Sequence, residues 1–398
     1  MRLPLLGMLI LLLVNLGTDT YIYRKLKSRC TTATPAKIQL ITAIILYLIL
    51  VVIICLPRRG GSEDTLLCVM WLLFGYISVY VAKYLFVIFD LFASIPCLFK
   101  KKRIKPLSMF GVFLGCVVFI SMWWGALVNR YRIQINEVRV EIAGLPDNFD
   151  GYRIAQFSDL HTGTFSNDTT FVAKLVDRIN ATGSDLIVFT GDIVNRRTDE
   201  LLPFTGVLER LEAPDGVYSI LGNHDYGDYS EWDSDDAKLK NLNLLHQLQK
   251  DMGWQLLLNE HRFLVNGKDS IALIGVENIG DPPFHSYGSL GKSYPSLNDD
   301  NVKILLSHNP AHWVDSISGN KDAKIDLTLS GHTHAMQIEV FGLSPAVMRY
   351  KTWGGLYFSP ESDDKMLYVN IGSGTVGLPM RLGATPEITV ITLRKKNT

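Results

Sequence analysis

Tyr152-Arg-Ile-Ala-Gln-Phe-Ser-Asp-Leu-His161 is the stretch on which the reading of this chain turns. The apolar run 152–157 leads into Ser158-Asp159-Leu160-His161, and the chain then breaks into the polar residues 162–167. That is the profile of a buried strand carrying two polar groups at its C-terminal end, where α/β proteins place their sites. On an extended backbone, Asp159 and His161, two apart, point the same way. A carboxylate beside an imidazole suits a divalent metal with oxygen and nitrogen ligands.

Four more apolar runs end in the same chemistry. Residues 185–190 lead to Gly191-Asp192, and 216–221 to Gly222-Asn223-His224-Asp225. Residues 302–306 lead to Ser307-His308, and 325–329 to Ser330-Gly331-His332-Thr333-His334. His332 and His334, again two apart, are expected to face one way on an extended segment. Glycine at these ends lets the backbone turn sharply and lets ligands approach a metal closely.

Between these strands the spacing predicts helices over 169–182, 198–212 and 235–252. Further strands are expected at 130–142, 262–265, 270–276, 337–340, 367–371 and 388–393. Strand alternating with helix, then mostly strand, argues for layered sheets with helices outside. No internal repeat or low-complexity segment interrupts the pattern.

The rest of the chain has a different character. Of 398 residues, Lys plus Arg and Asp plus Glu each total 39, so the net charge is zero and no nucleic-acid footprint is expected. The nine histidines all lie between His161 and His334, and all five cysteines (Cys30, Cys55, Cys68, Cys97, Cys116) lie in the apolar first third. This excludes a cysteine nucleophile and a thiolate metal site from the second part.

Four segments of the first third, about 3–22, 38–56, 66–95 and 109–128, are long enough to cross a bilayer as helices. The loop after the first holds Arg24, Lys25, Lys27, Arg29 and Lys37, and the loop after the third holds Lys100, Lys101, Lys102, Arg103 and Lys105. The second loop has Arg58 and Arg59, and the N-terminus has Arg2. The charge bias places the first and third loops in the cytoplasm of a multi-pass inner-membrane protein, and therefore the polar domain outside it. The expected domains are a four-helix transmembrane region 1–128, a linker with the first strand 129–150, and a polar domain 151–398. Lys83 and Asp90 in the third span are expected to snorkel to the cytoplasmic face. Tyr76, Tyr80 and Tyr84 recur at helical spacing and read as a packing stripe.

The ordered blocks Asp159-x-His161, Gly191-Asp192, Gly222-Asn223-His224-Asp225, His308 and Gly331-His332-x-His334 resemble the calcineurin-like metallophosphoesterase family, over about residues 152–394. The anchoring by several spans is similar to a bacterial membrane-bound branch of it. The resemblance implies an α/β fold, an αββα sandwich, with two divalent ions, manganese, iron or zinc. One ion would take Asp159, His161, Asp192 and His334, and the other Asp192, Asn223, His308 and His332. Two ions joined by a carboxylate share a water whose pKa falls toward neutrality, suited to attack at phosphorus. The resemblance also makes His224 the acid or electrostatic partner of the leaving oxygen, with Asp225 orienting it.

Asn195, Arg196 and Arg381 are further candidates for holding a phosphate. His246, His261 and His312 read as structural, and His285 as an exposed loop residue. Residues 342–360, rich in Met348, Tyr350, Trp353, Leu356, Tyr357 and Phe358, offer an apolar lip for a lipid tail, or an excursion packed on its own domain.

Together these readings predict a membrane-anchored phosphoesterase acting on phosphodiester or pyrophosphate bonds of a membrane or envelope component, with a lipid-linked phosphoester among the candidate substrates. Alternatives are a broad extracytoplasmic phosphatase, a hydrolase for a glycolipid of the UDP-diacylglucosamine type, and a catalytically silent metal-binding sensor. The glycolipid would call for a cytoplasmic site, against the charge-derived topology. Metal identity and oligomeric state are left open by the sequence.

Overall fold

The computed structural model describes residues 5–57, 60–282, 285–297, 299–362 and 364–396. The chain forms two compact units, Met1–Ala126 and Leu127–Thr398. Arg2, Arg58 and Arg59, part of the charge argument, lie outside the described residues.

The first unit is helical: α1 (Leu5–Arg29), α2 (Thr34–Cys55), α3 (Glu63–Ser94) and α4 (Lys105–Leu127). All four are long and apolar enough to cross a membrane. Helix α1 runs past the expected end at 22, so Arg24, Lys25, Lys27 and Arg29 form its last turns. Ser62 caps α3 by accepting from the Thr65 amide at 3.3 Å, with Glu63 and Asp64 in the first turn to complement the helix dipole. Helices α3 and α4 meet closely, because a Cβ on Gly115 would lie 2.8 Å from the Ala82 carbonyl oxygen.

Snorkelling does not describe the charged residues of α3. Lys83 Nζ lies 2.7 Å from Asp19 Oδ1 in α1, and Asp19 also accepts from Tyr80 and Gln39, each at 2.8 Å. Asp90 is completely buried, bonded to Tyr21 at 2.6 Å and to Arg103 and Ser108. A carboxylate in this setting is satisfied by partners within the bundle rather than by water at its face. Tyr76 and Tyr84 bond Asn15, so the tyrosine stripe is a polar network as well as a packed one.

The second unit contains β1 (Gln134–Ile142), β2 (Arg153–Phe157), α5 (Thr170–Asn180), β3 (Leu186–Phe189), α6 (Thr205–Leu208), β4 (Val217–Ser219) and α7 (Asp235–Asp251). It continues with β5 (Gln255–Leu256), β6 (Glu260–Asn266), β7 (Asp269–Gly275), α8 (Leu290–Ser293), β8 (Lys303–Leu306) and α9 (Ala311–Ser316). The last strands are β9 (Leu327–Ser330), β10 (Gly355–Phe358), β11 (Met366–Val369) and β12 (Glu387–Lys395).

These strands make two six-stranded sheets, ordered β1-β12-β2-β3-β4-β5 and β10-β11-β9-β8-β7-β6. Strands β2 to β5 run parallel, as do β7, β8, β9 and β11. Their central members are continuous apolar runs because both faces are covered. Alternate residues serve different layers. Ile154, Leu186, Val188, Ile304, Leu306 and Leu329 fill the space between the sheets. Phe157, Ile187 and Phe189 instead pack outward on α5 and α7, and Ile274, Leu305 and Val369 pack outward near α9. The result is the expected αββα sandwich.

Two expected elements differ. Residues 198–212 hold a 3-10 helix, Thr198–Phe204, followed by the short α6, and Pro203, whose missing N–H and fixed φ disfavour a regular α-helix, lies in the first of them. Residues 337–340 form isolated bridges, Ile338 with Leu382 and Val340 with Leu343, rather than a strand.

Candidate metal centre

The parallel strands of both sheets deliver their C-terminal ends to one edge, and the candidate residues follow them directly. Asp159 and His161 come after β2, Asp192 after β3, Asn223 and His224 after β4, His308 after β8, and His332 and His334 after β9. The loops are stitched by backbone bonds, Asp159 N–H to Gly191 O at 2.9 Å, His161 N–H to Asp192 O at 3.2 Å and Gly331 N–H to His308 O at 2.9 Å.

Two groups of possible metal ligands result among the described residues: Asp159, His161 and His334, and Asp192, His308 and His332. His161 Nε2 is 3.0 Å from His334 Nε2, and His334 Nε2 is 3.2 Å from Asp159 Oδ1. His308 Nε2 is 3.2 Å from Asp192 Oδ2 and 3.3 Å from His332 Nδ1. The same Asp192 oxygen lies 3.7 Å from His161 Nε2 and so faces both groups.

The extended backbone expected for these pairs is not what brings them together. Strand β2 ends at Phe157, and Asp159, His161, Asp192, His332 and His334 have φ values of 52°, 48°, 61°, 74° and 50°. Left-handed conformations are costly for residues with a Cβ, though less so for Asp and His, and they gather where tertiary contacts impose them. His332 and His334 therefore sit on turned rather than extended backbone, and they divide between the two groups as the resemblance implies. The first belongs to the Asp192 group and the second to the Asp159 group. Close approach also explains one glycine, since a Cβ on Gly222 would lie 2.2 Å from Asp192 Oδ1.

Electrostatics favour cations here. Burial and the adjacent His224 hold the His161 imidazolium well below its ordinary range, and burial and His308 press His332 down to about 3. Burial disfavours the ionised Asp159 and Asp192, but His334 and His308 respectively more than offset it, and both carboxyls fall below their usual range. His308 is pushed up to about 9 because the Asp192 carboxylate outweighs its burial. Ionised carboxylates and the neutral imidazoles of His161 and His332 are donors a divalent ion takes, and His308 joins them once it gives up the proton that the Asp192 carboxylate holds on it.

Asn223 fits the same set. Its Nδ2 donates to Tyr229 Oη at 2.8 Å, whereas its buried Oδ1 has no protein partner. The amide is thus held with its oxygen left for a cation. His308 Nδ1 donates to Thr190 O at 2.7 Å, which leaves its Nε2 free as a ligand atom.

Residues 152–336 match the family profile described as "Calcineurin-like phosphoesterase", and residues 1–130 match "Probable Calcineurin-like phosphoesterase, transmembrane domain". The uncharacterized metallophosphoesterase YkuE of Bacillus subtilis strain 168 is 31% identical over 302 residues, covering 73% of this chain and 96% of that one. The chain belongs to the calcineurin-like metallophosphoesterases. A metallophosphoesterase of Campylobacter jejuni is 25% identical over 400 residues, 98% of each chain. A zebrafish transmembrane protein with a metallophosphoesterase domain is 28% identical over 270 residues, 66% of this chain and 57% of the zebrafish protein.

Two side chains of this metallophosphoesterase do other work than expected. Asp225 does not orient the His224 ring. Its carboxylate accepts from the backbone N–H groups of Asp192, Ile193 and Gly222 at 2.8–2.9 Å and of Val194 at 3.3 Å, tying the loop after β3 to the loop after β4. Burial and the Asp192 charge push its carboxyl up to about 7, while those N–H groups pull the other way. The ring of His224 is held instead by Asn195, whose carbonyl accepts from Nδ1 at 2.6 Å, and by stacking on Tyr229 with centroids 4.2 Å apart.

Arg381 is completely buried, and its guanidinium donates to the carbonyls of Gly374, Ala384 and Ile371 at 2.6, 3.0 and 2.9 Å and to His334 Nδ1 at 3.1 Å. It braces the His334 loop and is not presented to a phosphate. Arg196 is also buried, its backbone N–H bonded to Glu200 Oε1 at 3.0 Å. His261 and His312 are structural, bonded to Ser293 O and Ser307 Oγ at 2.7 and 2.9 Å. Tyr229, and Tyr350 with its hydroxyl 3.3 Å from His332 Nε2, stand at the site although the sequence marks neither as a site residue, Tyr350 reading there only as part of the apolar stretch 342–360. Their only signal was an aromatic near a block, as in Asn223-His-Asp-Tyr-Gly-Asp-Tyr229.

Proposed function

We propose that this protein is a membrane-anchored phosphoesterase with a two-metal centre, cleaving phosphodiester or pyrophosphate bonds of a membrane or envelope component. The observation that carries the reading is Asp192 Oδ2, which lies between His308 Nε2 and His161 Nε2 at 3.2 and 3.7 Å. One carboxylate serving two groups of ligands is the arrangement a pair of cations requires. Asp159, His161, Asp192 and His334 would hold one ion, and Asp192, Asn223, His308 and His332 the other. When bound, the ions supply an acidified water and positive charge against the phosphoryl oxygens.

The chain's own groups supply the rest. His224 must carry its proton on Nδ1, because the Asn195 carbonyl can only accept. Its Nε2 is then the atom that hands a proton to the leaving oxygen when the ring is cationic. Asp225 holds Asp192 and Gly222 in register, and Tyr229 fixes both Asn223 and His224. Asn195 and Arg196 remain our candidates on the substrate side, with Asn195 already committed to His224 through its backbone.

Four helices fit to cross a membrane support a substrate held at a bilayer, where tethering raises its local concentration. The basic ends of α1 and of the loop before α4 support an extracytoplasmic catalytic domain. A silent metal-binding sensor is the reading from another class, and the fixed ring of His224, with Nδ1 bonded to Asn195 O, argues against it.

The test uses the full chain in detergent, loaded with manganese, iron or zinc in turn and given chromogenic phosphomonoesters and phosphodiesters. His224→Asn is expected to lower kcat by roughly 10²–10⁴-fold, and Asp192→Asn to lower both metal occupancy and turnover. Turnover untouched by Asp192→Asn would sink the two-metal reading; metal binding without turnover would favour the sensor.

A further inference from the structure

Residues 336–348 leave the metal centre and return to it. They begin two positions after His334 and end two before Tyr350, whose hydroxyl is 3.3 Å from His332 Nε2. The base of the excursion is fixed: Ser344 Oγ donates to Ala335 O at 2.6 Å, the Ala346 N–H donates to Ser344 Oγ at 3.0 Å, and Ala335 and Ala346 are buried. Its tip is a tight turn in which Val340 and Leu343 exchange backbone bonds of 2.9 and 3.1 Å.

The tip presents apolar side chains to its surroundings. Phe341 is fully exposed, Met348 is 83% and Leu343 76% exposed, and Val347, Val340 and Met336 add to the same surface. Phe341 also has φ 54°, a conformation that is costly for a bulky residue where glycine would be free. An exposed aromatic and a strained backbone both disfavour this turn in water, and among the described residues no side chain covers Phe341. Of the stretch 342–360 expected as an apolar lip, Leu343, Val347, Met348 and Phe358 are exposed. Trp353, Leu356 and Tyr357 pack against the domain's own core clusters.

We propose that the turn 336–348 docks on the lipid surface of a bilayer, with Phe341, Leu343 and Met348 at the acyl boundary. The bordering exposed cations Arg349 and Lys351 match anionic headgroups, although Arg349 also pairs with Asp281. The bilayer is at hand because the same chain carries four helices able to cross one. A second copy is the poorer occupant: six side chains on a convex turn offer a few hundred Å² at most, well short of the roughly 800 Å² per partner of a stable dimer. The docked turn would set the lipid surface beside His332 and His334, so that a phosphoester on a lipid headgroup reaches the metals without leaving its leaflet. This last step rests on the phosphoesterase reading, whereas the docking itself does not.

The test places a single cysteine at Phe341, or separately at Met348, in the full chain with its five cysteines replaced by serine. An environment-sensitive fluorophore is attached, and the protein is reconstituted in vesicles of phosphatidylcholine and phosphatidylglycerol. We expect a blue-shifted emission at both positions, quenched by lipid carrying a doxyl group near the headgroup. A label at Lys268, in the β6–β7 turn, is expected to show neither effect. Solvent-like emission at both positions, or a blue shift that doxyl lipid leaves unquenched, overturns the docking, the second result meaning cover by protein. Turnover of soluble bis(p-nitrophenyl) phosphate by the labelled proteins confirms that they are folded. Its loss in the wild type would fail the phosphoesterase reading alone, because the quenching is read independently of it.

Discussion

Tyr229 sets two groups at once, donating nothing to a substrate itself. Its hydroxyl accepts the Asn223 amide at 2.8 Å and its ring lies 4.2 Å from the ring of His224. Replacing it by phenylalanine keeps the stack and frees the Asn223 amide to rotate. Outer-shell partners of metal ligands commonly contribute 10–100-fold in affinity, and a Mn²⁺ affinity loss of about that size is expected for Tyr229→Phe. Titration calorimetry on the full chain checks it, and an unchanged affinity would show that Asn223 is held by other means. Asn223 and His224 were legible from their block, because glycine and two polar groups at a strand end are unusual. Tyr229 was not, because nothing local distinguishes a tyrosine that stacks on a histidine from one that packs in a core. Arg381 is the converse case. Its type suggested phosphate, and only its burial among three carbonyls showed that it supports the backbone behind His334.

Strands β8 and β9 show how an element can carry a cost away from the site. Asp326, just before β9, accepts from the Lys303 N–H at the start of β8 at 2.8 Å, and burial pushes its carboxyl up to about 6. The folded state thus binds this proton more tightly than the unfolded chain, whose carboxyl titrates near 4. Stability from this group is therefore fully present below about pH 4 and is lost as pH rises through about 6. Asp326→Asn keeps an acceptor for the amide and removes the titration. The variant is expected to gain about 2 kcal/mol relative to wild type between pH 4 and pH 7. Thermal unfolding in detergent at the two pH values measures this, and a difference that does not move with pH would assign the shift elsewhere. Element types were mostly legible, since β3 and β8 are continuous apolar runs and α5 carries Phe171, Val172, Leu175, Val176 and Ile179 on its buried face. Strand β10 was missed because its residues are only half buried at a sheet edge, where the apolar pattern is weak.

At the scale of the whole molecule, the charge distribution around the four helices predicts which side the catalytic domain occupies. Basic residues gather at the end of α1 and before α4, and the positive-inside rule then predicts that the domain lies outside the cytoplasm. A single cysteine at Lys396, in a background lacking the other five, is expected to react with an impermeant thiol reagent added to intact cells. Protection until the membrane is opened would reverse the orientation and make a cytoplasmic glycolipid substrate compatible with the site. The bundle has its own interior polarity, with Asp19 bonded to Lys83, Tyr80 and Gln39, so its helices are specified by hydrogen bonds as well as by apolar packing.

The sequence by itself determined the four apolar helices, the alternation of strand and helix and the five polar blocks at strand ends. These are local signals, carried by hydropathy, periodicity and glycine. The division of the ligands into two groups with Asp192 facing both followed from the family resemblance, whereas tertiary structure alone decided the turned backbone that brings them together, the partners of Asp225 and the burial of Arg381. It also left Phe341 outside while Trp353 and Tyr357 packed inward. Such outcomes depend on left-handed backbone turns and on partners more than a hundred residues away, which no window of sequence encodes.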